Sequence, residues 1–103
     1  MSISIRSNGV ALTSGLRSWI SDRVELAVER LGRRSQQVHV YFADQNGPNR
    51  GGNDKVCRVV VHMAHESSLV IEDRGDSIGA LVERVADRVS ALIDKRIEKR
   101  NTH

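Results

Sequence analysis

Three sets of residues in this 103-residue chain are candidates for binding or catalysis. The first is the stretch NGPNRGGNDK, residues 46–55, which holds three of the eight glycines and the only proline. Glycine backbone beside basic side chains is what a phosphate cradle needs. A P-loop, however, runs Gly-Lys-Ser/Thr straight into a helix. Here GGNDK runs into β-branched residues, and no G-x-G-x-x-G pattern occurs. Glycine and proline at this density mark a turn between strands, and a backbone nest for one phosphate is the chemical role left to it.

The second set is His39, His62 and Cys57. The two histidines lie on strand-like runs and are placed to meet, but two imidazoles without further ligands make a weak metal site. Ordinary outer-face side chains are the plainer reading, so no metal is assigned. Cys57 alternates with Val59, Val61 and Met63 on its own face, as a small core residue does. Ser, His and Asp occur without a local triad arrangement, and no paired buried carboxylates stand out. The expectation is a protein that is not an enzyme, with no cofactor and no small-molecule substrate.

The third set is basic. The chain has 16 Lys and Arg, 13 of them Arg, against 13 Asp and Glu, for a net charge of +3. Arginine's planar fork suits bidentate contact with phosphate. On a wheel of 100° per residue, Arg84, Arg88, Lys95 and Lys99 fall in a strip roughly 60° wide beside an apolar face. Glu83, Asp87, Asp94 and Glu98 fall in another strip of similar width. Like charges therefore sit four residues apart, each pair costing a few tenths of a kcal/mol in an isolated helix. Arg84–Asp87 and Lys95–Glu98 offset part of that cost. Two readings stand at this point: a solvated outer face, or a stripe that neutralises RNA phosphates without reading bases. Arg23 and Arg30, seven apart on an earlier helix, extend the basic set. If the two helices pack side by side, their basic flanks border one groove. Arg33 and Arg34 follow at that helix's end, where they also complement its dipole.

The elements that position these residues follow from periodicity. SISIR, residues 2–6, alternates as a strand. Thr13 or Ser14 caps a helix running to Gly32, with Leu16, Trp19, Ile20, Val24, Ala27, Val28 and Leu31 as its apolar stripe. VHVYFA (38–43), VCRVVVHM (56–63) and SLVIE (68–72) are three more strands. Asp76 caps a long helix over residues 77 to about 100, with Ile78, Leu81, Val82, Val85, Val89, Leu92, Ile93 and Ile97 on its apolar side. The order β-α-β-β-β-α is that of an α+β fold. Strands 2 to 4 form a meander, strand 1 lies parallel to its neighbour through a helix crossover, and both helices pack on one face of a four-stranded sheet. The length allows one domain, residues 1–103. Only Trp19, Tyr41 and Phe42 are aromatic, too few for a base-stacking platform. No run is long and apolar enough for a signal peptide or a membrane span, and the single cysteine excludes an internal disulfide. The expected compartment is the cytoplasm.

In these motifs the chain resembles the ribosome hibernation-promoting factor and ribosome-associated inhibitor A family, also called the sigma-54 modulation or S30EA family. The resemblance runs from Ile3 to about Arg100. ALTSGLRSWISDRV is similar to that family's entry into its first helix. VHVYFADQNGPNRGGNDKVCRVVVHM resembles the strand–loop–strand of a proteobacterial branch with a D-NGP-GG-DK-CR pattern, the most specific part of the match. VIEDRGDSIGALVERVADRV is similar to the fourth strand and last helix. The chain has SIGALV where members often have a tyrosine and an Ala-Ala-Ile-Asp run, and AHESS where many have a Pro-Gly-Gly turn. The resemblance implies a fold like a double-stranded-RNA-binding domain. It also implies binding to small-subunit rRNA in the mRNA and tRNA channel, which silences idle ribosomes under stress or in stationary phase. By position it implicates Arg23, Arg30, Lys55, Arg58, Arg84, Arg88, Lys95, Arg96, Lys99 and Arg100 in RNA binding. Arg96 points toward the apolar side of the wheel, as a side chain snorkelling over the core edge does. The chain ends three residues after Arg100 and so resembles a short form. The family's older name implies an alternative, a protein-interaction module that modulates a transcription factor.

Overall fold

The computed structural model describes residues 2–44 and 55–101. Residues 45–54, with all but the last residue of the glycine-rich stretch and the nest assigned to it, lie outside the described residues. The elements are β1 (Ser2–Asn8), α1 (Ser14–Val28), a 3-10 segment (Glu29–Arg34), β2 (Ser35–Asp44), β3 (Lys55–Met63), β4 (Leu69–Gly75) and α2 (Ile78–Asn101). The chain is thus α+β in the order expected. The sheet runs β1-β2-β3-β4, with β1 parallel to β2 and the other two pairings antiparallel.

Alternation along the strands decides which face is buried. Val38, Val40 and Phe42 on β2, Cys57, Val59 and Val61 on β3, and Leu69 and Ile71 on β4 point into one core. Ile20, Val24, Ala27 and Val28 from α1 and Leu81, Val82, Val85, Val89 and Ile93 from α2 close it from the helix side. Register places Phe42 opposite Cys57, and Val59 opposite Ile71. Both helices therefore cover the same face.

Four local expectations need correction. Trp19 belongs to the apolar stripe by spacing but sits at its margin and is 38% exposed. The α-helical part of the first helix ends at Val28, and the turn tightens before Gly32. With φ at 53°, Gly32 takes a conformation that side chains resist, so it still marks the stop. β4 continues past residue 72 to Gly75. The residue preceding α2 is Ser77 and not Asp76: Leu81 N–H donates to the Ser77 carbonyl at 2.9 Å, and Ala80 N–H to its hydroxyl at 3.5 Å. The cap must be the residue whose carbonyl accepts the first helical bond, and Asp76 lies one position too early. Thr13 caps α1 as expected, its hydroxyl accepting from Leu16 N–H at 3.1 Å.

Cys57 is buried among these residues. Burial, with a smaller contribution from the Asp73 carboxylate, pushes its thiol up to about 12. A thiol so protonated is not a nucleophile at neutral pH. Native protein at pH 8 is therefore expected to resist maleimide and to label fully in guanidinium chloride. Labelling of the native protein at the rate of a free thiol would place Cys57 outside the core.

Candidate nucleic-acid interface

α2 lies over β3 and β4 and beside α1, so its two polar flanks meet different neighbours. The acidic flank faces α1. Arg23 donates from Nε to Glu83 at 2.9 Å and from Nη2 to Asp87 at 2.8 Å. Arg30 pairs with Asp94 in the same seam. The basic flank lies along β4, an edge strand of the sheet. There Arg84 donates to the Arg74 carbonyl at 2.7 Å and from Nε to Asp73 Oδ2 at 3.2 Å. Arg88 donates to the Glu72 carbonyl at 3.3 Å, and its Nη1 stands 3.8 Å from the same Asp73 oxygen. About two turns further on, Arg96 reaches the Ser67 carbonyl at 2.6 Å.

These contacts account for the like charges at four-residue spacing. In an isolated helix each strip repels itself. In the folded chain the acidic strip meets arginines of α1, and the first half of the basic strip meets carbonyl oxygens and a carboxylate of β4. The arginines also blunt an edge that would otherwise offer free carbonyls to a foreign strand. At the other edge Arg17 does the same for β1, donating to the Ile5 carbonyl at 3.1 Å.

The expectation of one groove bordered by both basic flanks is not met. Arg23 and Arg30 stand on the α1–α2 seam, neutralised by three carboxylates, while Arg84, Arg88, Lys95 and Lys99 stand on the opposite flank of α2. The wheel locates both basic sets relative to their own apolar stripes, but it does not show which flank a neighbouring helix covers. Arg58 is on the sheet face away from the helices and pairs with Glu72 at 3.2 Å. Lys55 opens β3, with Asp44 and Gly75 as its register partners. Arg96 reaches back to the loop before β4, which agrees with a side chain leaning over the core edge. The Arg100 side chain lies outside the described residues. Lys95 and Lys99 make no hydrogen bond or ion pair among the described residues and are exposed.

Several residues of this flank were not singled out from sequence. Asp73, Arg74 and Gly75 extend β4 beneath Arg84 and Arg88. A Cβ on Gly75 would stand 2.9 Å from Arg84 Nη2, so glycine lets the guanidinium lie on the strand end. Asp73 is held below the usual carboxylate range, first by the Arg74 N–H that donates to Oδ1 at 2.8 Å, then by Arg84 and the nearby charges of Arg84 and Arg88. Its folded pKa being lowered, its stabilising contribution is complete above the ordinary carboxylate range and fades as pH falls through the lowered value. Asp73 is thus a full charge at neutral pH. Elsewhere, Arg34 forks onto Glu66 at 2.8 and 3.1 Å, tying the end of the 3-10 segment to the turn after β3.

The histidine pair does meet, with ring centroids 5.3 Å apart. Each Nδ1 contacts a serine hydroxyl, Ser4 for His39 at 3.1 Å and Ser68 for His62 at 2.9 Å. Among the described residues no cluster of three or more His, Cys, Asp or Glu is placed to hold a metal. No helix among them is long and apolar enough to cross a membrane.

The sequence matches the family described as sigma 54 modulation protein / S30EA ribosomal protein over residues 3–101. No curated protein matches the chain at a significant level. Among solved structures, a ribosomal subunit interface protein from Coxiella burnetii superposes with a TM-score of 0.77 at 15% identity, over 95% of this chain and 99% of that one. The N-terminal domain of Thermus thermophilus Protein Y superposes with a TM-score of 0.73 at 11% identity, over 92% of this chain and 98% of that one. At such identities the likeness is one of fold.

Proposed function

The chain belongs to the sigma 54 modulation protein / S30EA ribosomal protein family, and from that premise we propose that it is a ribosome-associated translation inhibitor acting as one cytoplasmic domain. It docks on the small subunit in the mRNA and tRNA channel and silences idle ribosomes by occlusion. The observation that carries this reading is the outer flank of α2. Arg84, Arg88, Lys95 and Lys99 follow one another along about 22 Å of helix, and Lys95 and Lys99 carry no internal partner among the described residues. A row of cations on a rigid helix neutralises successive phosphates and releases their counterions, without base specificity. A protein-interaction module would have drawn on the acidic strip of α2 instead, and most of that strip is engaged by Arg23 and Arg30.

Co-sedimentation with purified small subunits across a salt series tests the reading. Four phosphate contacts imply an affinity loss of roughly fifty-fold between 50 and 200 mM salt. Affinity that stays flat over that range would remove phosphate neutralisation as the mechanism.

A further inference from the structure

Arg84 and Arg88 converge on a single oxygen. Nε of Arg84 and Nη1 of Arg88 stand 3.2 and 3.8 Å from Asp73 Oδ2. The other carboxylate oxygen is pinned by the Arg74 N–H at 2.8 Å, which aims Oδ2 at the two guanidinium groups. We propose that Arg84 and Arg88 form one oxyanion clamp, and that Asp73 is its built-in competitor, holding a carboxylate oxygen where a phosphodiester oxygen of RNA binds. The inference deepens the reading of α2 as the RNA-facing side and rests on it.

Three features favour a clamp over a plain surface ion pair. First, each arginine has an anchor independent of Asp73: Arg84 on the Arg74 carbonyl and Arg88 on the Glu72 carbonyl. Both guanidinium groups therefore keep their places when the carboxylate is displaced or discharged. Second, the site is open. The two arginine side chains are 49% and 54% exposed, so N–H groups not used internally face solvent. Third, Gly75 leaves the room that Arg84 needs over the end of β4.

Asp73 gives the fold little stability, since solvent screens pairs as exposed as these. Its effect is on the strip. It cancels one of the positive charges at the clamp and must give way before a phosphate takes both arginines. The consequence is a flank that holds RNA reversibly, where an uncompensated row would hold it more tightly.

Asp73→Asn tests this, because the amide keeps the shape and an acceptor oxygen while removing the charge. The probe is inorganic pyrophosphate, followed through the arginine Nε–H signals in nitrogen-edited NMR spectra. The variant is expected to bind pyrophosphate roughly two- to fivefold more tightly than the wild type, with the Arg84 and Arg88 signals moving together. Adding Arg84→Ala is expected to abolish the gain. Equal or weaker binding by Asp73→Asn, or no response of Arg84 and Arg88 in either protein, overturns the clamp. A melting midpoint close to that of the wild type separates the gain from a structural change. Binding of Asp73→Asn to small subunits is the second arm. If pyrophosphate binding tightens and subunit binding does not, the clamp stands and the placement of this flank on rRNA falls.

Discussion

A protein carrying both Lys95→Glu and Lys99→Glu is expected to bind small ribosomal subunits on the order of 100-fold to 1000-fold more weakly, at about 1 kcal/mol per basic side chain near an anionic surface and roughly double for reversal. It is expected to melt like the wild type. Both lysines are exposed and without partners among the described residues, so the folded state loses nothing when they go. They lie on the same strip as Arg84 and Arg88, so every contact the strip makes with an anionic surface feels the reversal. The comparison that gives this result its meaning is Arg23→Ala with Arg30→Ala. By residue type and spacing those arginines are equal candidates for RNA binding. In the fold they are counter-ions for Glu83, Asp87 and Asp94. Their removal is expected to leave subunit binding nearly unchanged and to lower the melting midpoint by several degrees, as a loss of about 1 kcal/mol does in a domain of this size. Equal damage from the two double variants would restore a shared binding surface of both helices. Wild-type binding by Lys95→Glu, Lys99→Glu would take the strip out of the interface.

The largest expected effect on stability is at Phe42. Its side chain has no solvent exposure and sits on a central strand, across from Cys57 and in the core cluster to which both helices contribute. Phe42→Ala removes about 3–5 kcal/mol through lost burial and the cavity left behind. That is a large share of the roughly 5–15 kcal/mol that holds a domain of this kind. Urea titration should show the midpoint falling steeply with the slope retained. Val70→Ala, at a position 57% exposed on the other face of the sheet, should stay within about 0.5 kcal/mol. A loss at Phe42 no greater than that at Val70 would mean that the core is not where the strands and helices put it.

The element order, the parallel β1–β2 pair and the one-sided layering of the helices were legible in the sequence. They depend on periods of 2 and 3.6 residues, which are local. Thr13 at the head of α1 and Cys57 in the core were legible for the same reason: each needs only its near neighbours. The end of β4 was not, since Asp73-Arg74-Gly75 has no strand propensity and is held by pairing with β3 and by the arginines of α2. Likewise, the two charged strips of α2 were visible as strips, at a visible local cost, but not their partners. Those lie 60 and 64 residues away on α1, and 10 to 16 residues away on β4. Helix geometry assigns each side chain an angle about its own axis, and only packing assigns that angle a neighbour. Residue type and helix period are therefore enough to show that a basic flank and an acidic flank exist. Packing makes Arg23 and Arg30 counter-ions within the fold, gives Arg84 and Arg88 one carboxylate to share, and leaves Lys95 and Lys99 facing outward, because an opposite charge placed by the fold has to give way before a partner can take its site.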